Sequence, residues 1–533
     1  MAETEPPAAA DHGRSRIGRV ALLITLGGLG SRLLGLVREQ LAAGYFGAGD
    51  DIAAFQIADN VSTLLFDLVI SGMLQAALIP VLVEFAGDHA REELRRIAGT
   101  ITTVALVSVG VAVILGEIFT GTVVRLMTAI GSGDAARDPA TTALTVDLVR
   151  IVLPGVLLLA LGTIFSAVLY ALDRPGGPAL ALVVRNLVVV VAILTLSRWM
   201  GVKSMAVGVL VGGMSVAAIH LPALAQAGAL PTLRLELRHP AVRRIGLLYL
   251  PVFLGLLVST VQVVVDRNLA WRAEADALGA MRYATTLVQS VLGLIAAAIS
   301  LAALPALAGH FTGRDERAFS ATLESALRYV TILIVPAVFG MAVLARPLVG
   351  VIFQHGETGP AEASSIALVL LGYLPGTLFA AFDQVLIYAF YAQQSTWTPV
   401  LVGVVASGGY FVVAAVVADR YGALGLAIAN SVQFVVHTLV LGWLGRSLLA
   451  GLRRRFAGLL ALCGGGAGLC AAAALAGLGL TRLVLPSGAI RDVVELVVAA
   501  SAGAAAYAGV LWTARVPEIA ALVARLPIRL RNR

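Results

Sequence analysis

Fourteen long apolar stretches, separated by short polar turns, run along this 533-residue chain. A bilayer core takes about 20 apolar residues per helix, whereas strands of a membrane barrel alternate in polarity over about ten. In lipid the backbone must satisfy its own polar groups, and a continuous apolar run does so only as a helix. The runs lie at 17–37, 52–85, 100–126, 143–172, 178–200, 205–227, 245–265, 279–308, 329–351, 361–391, 399–418, 421–449, 457–480 and 494–513. They predict an all-α integral membrane protein. Runs that exceed the bilayer width must tilt or bend, and Gly72, Pro80, Gly293 and Pro305 are the expected bend points.

Composition closes the alternatives. The chain is 59% hydrophobic and 13% charged, against about 25% charged in soluble domains. An ordinary cytosolic enzyme and a secreted domain are excluded. The net charge of +7 forms no continuous basic stripe of the kind that binds nucleic acid. All basic residues except Lys203 are arginines, and they punctuate the apolar runs. Arg91, Arg95, Arg96, Arg174, Arg234, Arg238, Arg243, Arg244 and the Arg453–Arg455 triplet fall on alternate loops. The positive-inside rule then places both termini in the cytoplasm. Residues 1–16 read as a disordered N-terminus and residues 516–533 as a basic tail along the inner headgroups. Cys463 and Cys470, seven residues apart in one apolar run, read as packing residues.

The runs repeat. Tyr170 and Pro178 at spans four and five recur as Tyr391 and Pro399 at spans ten and eleven, 221 residues later. Ala77-Leu78-Ile79-Pro80 has a counterpart in Ala303-Leu304-Pro305 at nearly the same offset. Two six-helix lobes, 17–229 and 245–449, joined by a linker at 230–244 and followed by two further helices at 450–515, are expected. An even-numbered repeat keeps its orientation, so the lobes are expected to be related by a pseudo-two-fold axis along the membrane normal. Transporters of this plan rock two halves around a central site. Glycine groups such as Gly27-Gly28, Gly212-Gly213 and Gly464-Gly465-Gly466 let helices approach closely. No Lys-Ser/Thr follows any of them, so none is a nucleotide loop, and no soluble segment is large enough for a catalytic domain.

Ser31-Arg32-Leu33-Leu34-Gly35-Leu36-Val37-Arg38 with Phe46-Gly47-Ala48-Gly49 resembles the opening motif of the MurJ/MviN lipid II flippases, of the superfamily that includes MATE exporters. The similarity continues through 72–80, Leu169-Tyr170-Ala171, Pro347-Leu348 with Phe353 and Gly356, and Ala389-Phe390-Tyr391-Ala392-Gln393 with Thr396, Thr398 and Pro399. The resemblance implies a fourteen-helix transporter of the bacterial cytoplasmic membrane. Its substrate would be the polyprenyl-diphosphate-linked peptidoglycan precursor, carried to the outer leaflet by alternating access. Membrane lipids and cell-wall synthesis proteins are the partners such a role brings. No cofactor is implied, and coupling to a cation gradient or to the membrane potential stays open.

A diphosphate crossing a bilayer needs cations, for which bidentate arginine is suited. Arg32 and Arg38 match the family's first-motif arginines. Its paired span-two arginines fall on Phe66 and Asp67, its span-eight arginine near Thr286, and its first-loop acid near Ala53. Arg282, one turn before Thr286, is the compensating candidate. The substrate-binding candidates are thus Arg32, Arg38, Arg282 and Asp67. Arg32 equally fits a structural pairing with a carboxylate, and Arg38 a position at the headgroups. Asp67 and Asp383, deep in spans two and ten, must protonate, pair or hold a cation. Asp266 with Arg267 ends span seven as an interfacial or coupling pair. Arg185 with Asn186, and Asp147 with Arg150, read as packing or snorkelling groups; Glu117 has no evident partner. His220 and His437, isolated in apolar spans, read more readily as hydrogen-bonded packing residues than as proton relays. Transport of another lipid-linked glycan, MATE-like export with Asp67 and Asp383 as carriers, and a non-transporting membrane scaffold are the rival functions.

Overall fold

A computed structural model describes residues 8–70, 78, 81–85, 87, 89, 91–128, 138–273, 276–395, 397–446, 448, 453–486 and 489–518. Gly72, Pro80 and the tail beyond residue 518 lie outside the described residues. Within them the chain forms α-helices: α1 (Ala8–Phe46), α2 (Asp50–Ile70), α3 (Arg91–Ile118), α4 (Thr120–Thr128), α5 (Pro139–Ala171), α6 (Gly176–Met200), α7 (Lys203–Gln226) and α8 (Pro240–Arg272). They continue as α9 (Ala277–Leu294), α10 (Ala296–Thr312), α11 (Glu316–Phe353), α12 (Pro360–Ala392), α13 (Trp397–Leu444), α14 (Arg453–Val484) and α15 (Ala489–Thr513).

Ten helical stretches among the described residues are long and apolar enough to cross a membrane. One of them, α13, holds spans eleven and twelve, joined at Gly422. Helices α1, α2 and α8 stand where spans one, two and seven were expected. Trp199, Trp397, Trp443 and Trp512 are exposed at helix ends, the position tryptophan favours at membrane–water interfaces. The first helix starts at Ala8, inside the segment expected to be disordered. The long eighth run breaks at Ile295 (φ −101°, ψ −69°), two residues past Gly293, while Pro305 is accommodated inside α10.

Contacts divide the chain into two units, 1–275 and 276–533. The division falls one helix beyond the expected lobe boundary at 245. Helix α8 packs against α2, α3 and α4 of the first unit, and Asn268 Nδ2 donates to the Leu126 carbonyl at 2.7 Å. The preceding linker is fastened to α3. Arg95 donates to the Leu230 carbonyl, the Glu236 amide to Thr100 Oγ1, and His239 Nε2 meets Glu93 at 2.6 Å. The amide of Ala241 donates to His239 Nδ1, so His239 caps α8 with one ring nitrogen while the other donates to Glu93.

The 221-residue repeat appears in the backbone. Asp173 and Gln394 adopt φ of 55° and 60°, and Gly201 and Gly422 adopt 54° and 49°. Each pair closes the same turn: the Arg174 amide donates to the Leu169 carbonyl, and the Ser395 amide to the Phe390 carbonyl. Packing repeats as well. A Cβ on Gly155 would lie 3.3 Å from Leu210 Cα, and one on Gly376 would lie 2.6 Å from Ser431 Cα. Both partners again differ by 221. Span four against span six thus has the contact geometry of span ten against span twelve.

In the second unit, α14 and α15 pack on each other and on α11. Val516 and Glu518 are buried against this unit; the rest of the tail lies outside the described residues. Arg328 of α11 holds Glu518 through both carboxylate oxygens, with Nη2 3.1 Å from Oε2. Burial is the largest influence and raises the Glu518 carboxyl, but the hydrogen bond and charge of Arg328 together with a backbone hydrogen bond outweigh it and hold the group below the usual glutamate range.

Candidate functional site

Helices α1 and α6 meet along a glycine-lined seam. A Cβ on Gly27 would stand 2.1 Å from the Ala179 carbonyl oxygen, so any larger residue would force the helices apart. Further along, Asn186 Nδ2 donates to both the carbonyl (3.0 Å) and the hydroxyl (3.1 Å) of Ser31. Its Oδ1 accepts from Arg38 Nη1 at 3.3 Å. Arg38 also pairs with the buried carboxylate of Glu39, at 2.6 Å from Nη2 and 3.1 Å from Nε. Of the alternatives for Arg38, the geometry favours a fixed internal cation over one reaching for headgroups.

Asn186 brings its neighbour Arg185 into the same place. The Arg185 stem crosses α7 over Gly212, where a Cβ would lie 3.1 Å from its Cγ. Its electrostatic neighbours are Arg38 and Asp59 of α2. Two guanidinium atoms here are shielded from solvent without a hydrogen-bond partner among the described residues: Nη1 of Arg32 and Nε of Arg185. An unmade bond of this kind costs about 1–3 kcal/mol, and more for charged donors. Arg32, Arg38 and Arg185 thus place three guanidiniums on adjoining helices of one unit. Two of them have donors that an anion would satisfy.

The remaining candidates distribute otherwise. Asp67 is half-buried on α2, with no hydrogen-bond or ion-pair partner among the described residues. Asp266 and Arg267 form an adjacent ion pair at 3.3 Å. Arg282 is buried and engaged at the start of α9. Its carbonyl accepts from the Thr285 and Thr286 hydroxyls, both at 3.0 Å, so the one-turn relation to Thr286 runs through the backbone. Asp147 pairs with Lys203 at 2.8 Å, not with Arg150. Glu117 Oε1 has no hydrogen-bond partner among the described residues. The cysteines are free and buried.

Arg185 is the residue that sequence reasoning undervalued. A lone arginine in mid-span looks like a snorkelling group until the opposite helix is known. The adjacent Asn186 was the available signal, since an amide next to a cation inside an apolar run needs a polar partner across a helix interface.

A family profile described as "Lipid II flippase MurJ" matches residues 42–499; Arg32 and Arg38 precede the matched region. The chain is 29% identical over 438 residues to a probable lipid II flippase MurJ of Vibrio cholerae, covering 80% of this chain and 82% of that protein. It is 27% identical over 445 residues to the lipid II flippase MurJ of Burkholderia cenocepacia, covering 81% and 83%. Its fold is similar to a lipid II flippase MurJ structure in an inward closed conformation, with TM-score 0.75 and 19% identity, covering 92% of this chain and 98% of that one. An inward-facing MATE family transporter of the MOP superfamily is similar at TM-score 0.65 and 15% identity, over 80% and 96%. The profile covers most of the chain and the fold agrees over nearly all of it; the chain is a multi-pass membrane protein and belongs to the MurJ lipid II flippase family, a family of transporters and not of enzymes.

Proposed function

We propose that this chain moves lipid II from the inner to the outer leaflet of the cytoplasmic membrane by alternating access, with both termini on the cytoplasmic side. Arg32, Arg38 and Arg185 receive the diphosphate. The observation that carries this assignment is the pair of shielded, unpartnered guanidinium donors on Arg32 and Arg185, beside an Arg38 fixed by Asn186 and Glu39. Arginines in a bilayer are costly unless they serve a ligand or a partner, and a diphosphate supplies the acceptors these two lack. Arg185 provides a cation in a chain whose span-two positions carry Phe66 and Asp67. The duplicated lobes are the moving halves, span seven moves with the first-unit helices it packs on, and spans thirteen and fourteen accompany the lipid tail.

Native mass spectrometry of the full chain with lipid II, undecaprenyl phosphate and a neutral lipid tests this. Selective retention of lipid II, weakened about tenfold or more by Arg32→Ala and by Arg185→Gln, is expected; a charge-assisted hydrogen bond is worth about 1.5–3 kcal/mol. Binding no better than that of the neutral lipid, in folded protein, would overturn the lipid II assignment. Asp67, which has no partner among the described residues, favours a second reading, a different lipid-linked glycan, and selective binding of such a lipid over lipid II would support it.

A further inference from the structure

In the second unit, His437 of span twelve lies between two acceptors. Its Nδ1 is 2.6 Å from Asp383 Oδ1 in span ten, and its Nε2 is 3.1 Å from the Pro399 carbonyl at the start of span eleven. Both side chains are buried. Gly403 lies beside the ring, where a Cβ would stand in ordinary van der Waals contact at 3.6 Å from Nε2.

The proton count follows from the atoms. A carbonyl oxygen only accepts, so Nε2 carries a hydrogen. Nδ1 and a carboxylate oxygen at 2.6 Å need one hydrogen between them. It sits either on Nδ1, giving an imidazolium–carboxylate pair, or on Asp383, giving two neutral groups. Either form is neutral as a whole and holds two protons on three atoms. Removing the shared proton to water leaves a buried carboxylate facing the Nδ1 lone pair, which is repulsive and uncompensated.

We propose that Asp383 and His437 form a proton-binding site, which ties span ten to the His437 ring of span twelve only while its shared proton is bound. The ligand is H⁺, and the site gives the second unit a means of responding to proton activity. Along α12 the other titratable group within electrostatic reach of Asp383 is Tyr391, on which Asp383 acts; it is a phenol that is neutral near pH 7. Tyr388 in turn acts on Tyr391. Among the described residues, α9, α10 and α11 set no charged group against the pair.

Two features separate this site from an ordinary buried histidine. The acid is supplied by a different span from the one that carries the ring. The ring's second nitrogen is committed to a third span, so one ring links three spans through two hydrogen bonds, one of which depends on the shared proton. This inference does not depend on the identity of the transported lipid.

Melting temperatures of the full chain in lipid nanodiscs, measured from pH 6 to pH 10, test it. The folded site closes its Nδ1–Oδ1 hydrogen bond only with the shared proton in place. Its contribution to stability is therefore present at the lower pH values and is lost as pH rises through the folded pair's titration. Asp383→Asn can donate from its amide to Nδ1 and has no proton to lose, so its profile is expected to lack the alkaline step of the wild type. Should that variant fail to fold, Asp383→Leu/His437→Leu replaces both partners with apolar groups, a change that buried pairs often tolerate, and the same loss of the step is expected. His220→Gln is expected to keep the step. Superimposable profiles for wild type and the Asp383 variants, or a step abolished by His220→Gln, would overturn the proposal.

Discussion

Span four against span six, and span ten against span twelve, are the same helix pairing made twice, yet each carries a buried histidine with a different chemistry. In the first unit, His220 Nδ1 donates to the Val216 carbonyl and Nε2 accepts the Ser166 hydroxyl at 2.9 Å. All these groups are satisfied by a neutral ring, and no proton is shared with an acid. In the second unit a carboxylate replaces the hydroxyl, and the pair cannot close its hydrogen bonds without an extra proton. The two sites are also one turn out of step. At the 221-residue offset, Gly162 and Val216 stand where Asp383 and His437 do. A duplicated scaffold therefore fixes where two helices touch, while the residues at the contact decide whether it is inert or titratable.

The largest expected effect tests the charged member of this comparison. His437→Leu strands Asp383 in the interior and is expected to destabilise the protein by about 3–5 kcal/mol, read as a fall in melting temperature near neutral pH. Ser166→Ala, by contrast, removes a neutral partner from His220 and is expected to cost about 1–3 kcal/mol. If the two losses were equal, the chemical distinction between the sites would fail.

The glycine contacts sharpen the same comparison through packing. Gly376→Ala would place a methyl 2.6 Å from Ser431 Cα, inside van der Waals contact with backbone, whereas Gly155→Ala meets Leu210 Cα at 3.3 Å. Overpacking costs about 1–3 kcal/mol. The substitution at Gly376 is expected at the upper end and that at Gly155 at or below the lower end, in parallel thermal melts. The smallest effect concerns the terminal clasp, which the first unit lacks a counterpart for among the described residues. Glu518 is held below the usual glutamate range by Arg328. Its contribution is present above the unfolded value of about 4.3 and is lost as pH falls through the folded value. Glu518→Gln is expected to remove an acid-side decline of melting temperature while leaving the alkaline step intact.

Much of the architecture was legible because its cause is local. Continuous apolar runs leave the backbone only the helix, and the Tyr170/Tyr391 and Pro178/Pro399 spacing pointed to a repeat that recurs in the turns at Asp173/Gln394 and Gly201/Gly422. The Asp266–Arg267 pair was legible because its members are adjacent. Arg185 was not, since its neighbours Arg38 and Asp59 come from other helices. Nor was the Asp147–Lys203 pair, in which the nearby Arg150 looked the better partner.

The sequence by itself determined a multi-span helical membrane protein, built from a duplicated unit and bearing two arginines of a family motif. Solvent polarity and chain connectivity act on every residue in order, and those are readable in one dimension. Only the tertiary structure decided that span seven packs with the first unit, that Arg185 joins Arg38, and that Asp383 of span ten meets His437 of span twelve. Hydrogen bonds and ion pairs reach only a few ångströms, so which charges meet is settled by how the helices pack.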